Sequence, residues 1–74
     1  MTPTNLARYL LSAIERRSGK QAPWSAKPTG DGKVEIAIWN TTGPAAASKR
    51  FDFRAGLTES LIGSVCDWVL PMMA

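Results

Sequence analysis

Few residues in this chain are equipped for chemistry at neutral pH. Its 74 residues include no histidine and a single cysteine, Cys66. Histidine is the side chain whose unperturbed charge change falls near neutrality, so its absence removes the usual general base. Cys66 falls in the run Leu57–Leu70, LTESLIGSVCDWVL, on an apolar helical stripe, where a cysteine acts as a small core hydrophobe. One cysteine cannot close an internal disulfide, and with no histidine it cannot assemble a structural zinc site. Glu35 and Asp52 are the carboxylates that neighbouring strands would bring near one another; set among arginines, they read as a solvated ion-pair face. Gly30 and Gly32 could cradle a phosphate with backbone N–H groups. No Gly-Lys-Ser/Thr and no strand-to-helix context follow, so Thr29-Gly30-Asp31-Gly32 reads as a hairpin turn. No catalytic residue, metal or cofactor is expected, and the function to look for is binding.

The elements that would present a binding surface are legible from spacing. In the last one, Thr58 can cap a helix that carries Glu59 in its first turn, and Pro71 stops it, giving a helix over 58–70. Its apolar face is too wide for one contact. Leu57, Leu61, Val65 and Trp68 form one stripe, and Ile62, Cys66 and Val69 form a second beside it. Either the helix is covered on two sides, or the second stripe awaits a partner. Small Gly63 and Ser64 would let a second backbone come close. At the other end, Leu6, Leu10, Ala13, Ile14 and Arg17 line one side of a helix over 4–18, closed by Gly19 at the C′ position. Arg16, Arg17 and Lys20 suit the negative end of its dipole.

Between the helices lie three strand signals. Pro23 and Pro28 bracket a short edge strand, 23–28, because proline cannot donate to a ladder. Lys33 to Trp39 alternates cleanly, with Val34, Ile36 and Ile38 on one face and Glu35, Ala37 and Trp39 on the other. The third strand is expected over 49–54, with Phe51 and Phe53 inward and Arg50, Asp52 and Arg54 outward. Asn40–Ser48, NTTGPAAAS, reads as a loop, since Gly-Pro breaks the chain and alanine has little β preference.

Composition narrows the class without naming it. A 45% hydrophobic content fits a folded domain, and residues 1–74 are read as one. Nine Lys and Arg against six Asp and Glu give +3, a bias that permits nucleic acid without requiring it. No run approaches ~20 apolar residues, no basic stretch with an apolar follower opens the chain, and the lone cysteine suits a reducing compartment. A cytoplasmic protein is therefore expected, in which the Asn40-Thr41-Thr42 sequon has no meaning.

The expected fold is α+β, of order αβββα: a three-stranded antiparallel meander with both helices on one sheet face. The order resembles that of double-stranded-RNA-binding domains. Their second helix opens on a lysine-rich segment that clamps phosphates, whereas Ala55-Gly56-Leu57-Thr58-Glu59-Ser60 holds no lysine and one acid, so the resemblance is one of topology. The open sheet face would carry a single aromatic, Trp39, where base-stacking sheets use several. The primary expectation is a small non-enzymatic protein-interaction module, which docks on a larger protein or pairs with itself. Its interface would use Trp39, Ile62, Cys66, Trp68, Val69, Met72 and Met73. Its size matches that of bacterial and phage accessory proteins and inhibitors. The alternative is a nucleic-acid-binding domain with a basic surface built from Arg8, Arg16, Arg17, Lys20, Arg50 and Arg54.

Overall fold

The computed structural model describes residues 2–39 and 46–73. The elements are α1 (Pro3–Ser18), β1 (Trp24–Pro28), β2 (Lys33–Trp39), β3 (Ala46–Asp52) and α2 (Glu59–Val69), followed by a 3₁₀ turn, Leu70–Met72. The sheet is antiparallel in the order β1-β2-β3, and both helices lie against it, giving an α+β domain.

Each helix begins where its capping residue stands. The Thr2 hydroxyl accepts a hydrogen bond from the Asn5 N–H at 3.2 Å, and Pro3 takes the first helical position. Gly19 closes α1 with φ 71°, a left-handed conformation that its missing Cβ permits, and donates its N–H to the Glu15 carbonyl. In α2 the Thr58 hydroxyl accepts from the Leu61 N–H at 3.2 Å.

Register puts Val34, Ile36 and Ile38 of β2 beside Ala26 of β1 and Phe51 of β3 on one face, and all five are buried. Phe53, just beyond β3, adds the largest fully buried side chain. Helix α1 lays Ala7, Leu10, Leu11 and Ile14 over β1 and β2, while α2 brings Val65 and Val69 toward β3. The edge of α2 is fixed by Trp68, whose ring meets Phe51 edge-on, with centroids 5.7 Å apart. A hydrogen bond from Trp24 Nε1 to Glu15 Oε1, 2.6 Å long, ties α1 to β1.

The other elements match the sequence expectation to within one residue at each end, and β3 departs from it further. Strand β3 starts at Ala46, inside the expected loop, and ends at Asp52 rather than Arg54. Ala46, Ala47 and Ser48 pair with Trp39, Ile38 and Ala37, so a long neighbouring ladder carries residues of weak intrinsic preference into the sheet. The early exit follows from the Asp52 carboxylate, which accepts from the Arg54 N–H at 2.9 Å and turns the chain. The rest of the expected loop, residues 40–45, lies outside the described residues. At the other end of α2, Leu70 keeps helical dihedrals (φ −58°, ψ −41°) despite the proline that follows. The proline penalty is outweighed there by a turn that folds Met73 back into the core.

Candidate functional site

The second apolar stripe of α2 divides: Val69 joins Val65, and Leu70 joins Ile62 and Cys66. Val65 and Val69 are buried against the sheet, and Trp68 leans on Phe51. Ile62, Cys66 and Leu70, four residues apart, are half-buried and face the space beside α1. The helices scarcely approach one another there, because each is held by its own part of the sheet. What remains between them is an open groove of about 600 Å³.

On the α1 side the groove is built from Leu10 and Ile14 at the base and Ala13 along the wall; Leu57 adds an apolar side chain from the segment before α2. Ala13 adds a short, half-buried side chain to that wall. Tyr9 stands at the mouth, 57% exposed. Arg16 and Arg17 rim the end nearest the α1 C-terminus. Both are exposed, and neither forms an ion pair among the described residues. Among the described residues no carboxylate lines this groove. The surface is apolar along its length and positive at one end.

The opposite sheet face holds a smaller depression. Ser25, Ala37 and Ser48 lie in one cross-strand row, and Lys27, Glu35 and Arg50 in the next. Trp39, 42% exposed, stands at the edge of a depression of about 260 Å³ floored by the small residues. Glu35 and Arg50 are register partners but form no ion pair; the ion pair among the described residues joins Arg54 and Asp52, 2.7 Å apart at the surface.

The expected interface residues therefore separate. Ile62 and Cys66 line the groove. Val69 and Met73 belong to the chain's own core and Met72 is half-buried against it, so these three form no free surface with the groove. Trp68 is half-buried on Phe51, and Trp39 lies on the far side of the sheet. The basic residues separate as well. Arg8, Arg16, Arg17 and Lys20 are exposed on and just after α1, Arg50 is on the outer sheet face, and Arg54 is held by Asp52. The helical wheel of α1 already placed Leu10, Ala13 and Ile14 together; what periodicity could not supply is the gap that leaves them facing Ile62 and Cys66 across open space.

The displaced ionisation equilibria belong to surface turns. Hydrogen bonds from the Arg54 side chain and N–H hold the Asp52 carboxyl down at about 2 and push the Arg54 guanidinium up. Asp31 is also lowered, first by the Thr29 hydroxyl and then by the Lys33 N–H, the contacts that close the β1–β2 turn. Local turn geometry accounts for all three. Among the described residues no group of three or more Cys, Asp or Glu side chains is placed to hold a metal ion, no buried side-chain polar atom lacks a partner, and no helix is long and apolar enough to cross a membrane. No family model, curated protein or solved structure matches the chain.

Proposed function

We propose that this domain is a protein-interaction module that docks a larger protein on the groove between α1 and α2, and that it acts by binding rather than catalysis. The observation that carries this reading is the Ile62–Cys66–Leu70 stripe, which faces α1 without being covered by it. Apolar side chains left half-buried between two helices can lose their remaining water to the apolar side chains of a partner.

Total surface argues that the stripe is not half of an obligate core. A folded monomer of this size exposes about 4500 Å² by the usual scaling, and this chain exposes 4600 Å². Shape argues for a foreign occupant over a second copy. A two-fold dimer apposes the same patch on both subunits, and two grooves facing each other fill neither. The separation of the basic residues between the α1 side and the outer sheet face disfavours one continuous nucleic-acid footprint. A cytoplasmic setting belongs to the proposal, on the strength of a free cysteine.

The test is affinity capture from nuclease-treated host lysate with three baits: the natural chain, Ile62→Asp and Trp39→Ala. Trp39 is exposed and Ile62 half-buried, and thermal melts establish that each bait is folded. The expected result is a protein retained by the natural chain and by Trp39→Ala and lost with Ile62→Asp. A partner lost only with Trp39→Ala would move the interface to the sheet, and retention that vanishes with nuclease would favour the basic-surface reading.

A further inference from the structure

We infer that the occupant of the groove is an amphipathic helix about two turns long in its contact, with acidic side chains at the end that meets Arg16 and Arg17. The inference rests on the docking reading above and names the partner's chemistry.

The form of the occupant follows from the walls. Both are helices, whose backbone N–H and C=O groups are already bonded internally. An extended segment laid between them would find no ladder to join, and its own backbone groups would lose water without gaining partners. A helix brings its backbone bonds with it. The length follows from the rows that line the groove. Ile62 to Leu70 on one side and Tyr9 to Arg17 on the other each cover eight residue steps, about 12 Å at the helical rise of 1.5 Å per residue. That accommodates apolar anchors at i, i+3 or i+4, and i+7.

The charge follows from the rim. Arg16 and Arg17 are exposed, carry no ion pair among the described residues and have no carboxylate near them in the groove. The nearest acid in sequence, Glu15, is engaged by the Trp24 indole. An occupant with Asp or Glu at that end gains charge-assisted hydrogen bonds to two guanidinium groups, and a basic one is repelled.

The test is selection of a displayed library of helical peptides on the immobilised full chain, followed by fluorescence anisotropy and amide-shift mapping with the winning peptides. Winners are expected to share three apolar residues at helical spacing and an Asp or Glu within one turn of an end. Their shifts should centre on Ala13, Ile62 and Cys66. Replacing both arginines, as Arg16→Gln with Arg17→Gln, should weaken them about tenfold, and the Glu pair more. Groove-bound winners that lack acids, or that are indifferent to both double variants, would overturn the acidic end and leave the docking reading standing. Winners that shift Ser25, Ala37 and Trp39 instead would overturn both. A selection that returns no specific binder would overturn the helical occupant.

Discussion

The α1/α2 groove and the outer sheet face are both open, yet they differ in what made them open. The groove is a gap between two layers of apolar side chains: Ile62 and Cys66 project from α2, Leu10 and Ala13 from α1, and the helices are seated too far apart to close on each other. The sheet face is a gap of another kind, left by small residues in Ser25, Ala37 and Ser48 and bordered by charges already hydrated. Water leaving the groove is released from apolar surface, a favourable exchange at ~25 cal/mol per Å². Water leaving the sheet face must be stripped from Lys27, Glu35 and Arg50, at a cost unless each is paired again. The proposed reading favours the groove on what desolvation costs there: a single exposed tryptophan, Trp39, is set against charged neighbours that would have to be paired again.

The sharpest way to break the comparison is to charge the sheet side and the groove side of α2 in turn. Val69 is fully buried and Ile62 half-buried. Val69→Asp should remove about 4 kcal/mol or more of stability, and Ile62→Asp about 1 kcal/mol, in urea denaturation. Equal losses would mean that the two sides are equally covered. Trp24→Phe tests what seats α1: losing the bond to the Glu15 carboxylate should cost about 1–2 kcal/mol. A neutral result would leave the position of that groove wall to apolar packing alone. Thr58→Ala removes the α2 cap and should cost about 1 kcal/mol, whereas Ser60→Ala in the exposed part of the same turn should be near zero.

The smallest effect belongs to the far face. Asp52 ionises at about 2 when folded, below its ordinary value, because Arg54 binds the charged form. A depressed folded value means that the stabilisation is complete above the unfolded pKa, near 3.9, and fades as pH falls toward 2. The pair lies at the surface, so screening keeps the effect small. Asp52→Asn should lower the urea midpoint slightly at pH 7 and flatten the loss of stability between pH 4 and 2 by the same small amount, so that the two chains converge near pH 2. A large loss at pH 7 would show that the turn after β3 depends on the carboxylate.

The layout of the domain was legible because its signals are local. Alternation in Val34–Ile38 and in Phe51 and Phe53 reports a half-buried sheet, and Thr58 and Gly19 mark helix ends by hydrogen bonds made within a few residues. The start of β3 was not legible, because Ala46–Ser48 are held by partners on β2 rather than by their own preference. The site was half legible. A second apolar stripe on α2 could be read from spacing, and it supplied Ile62 and Cys66. Where one stripe ends and the next begins could not, since adjacent stripes repeat at the same interval; Val69, expected with Ile62 and Cys66, turns into the core beside Val65, and Leu70 takes its place in the groove. Met73 was hidden by Pro71, which reads as the start of a tail but allows a 3₁₀ turn back onto the core. The groove itself depends on the spacing of two helices distant in sequence, which no local pattern encodes.

The central claim is that the Ile62–Cys66–Leu70 stripe is open in the free chain and covered in the complex, and the chain's single cysteine lies in that stripe. The direct measurement is the rate at which N-ethylmaleimide modifies Cys66 in the folded free chain and in the complex isolated by capture. The account predicts a ready reaction in the free chain and one slower by about tenfold or more in the complex, with the rate restored on dissociation. Equal rates in the two states would place the partner elsewhere and contradict it.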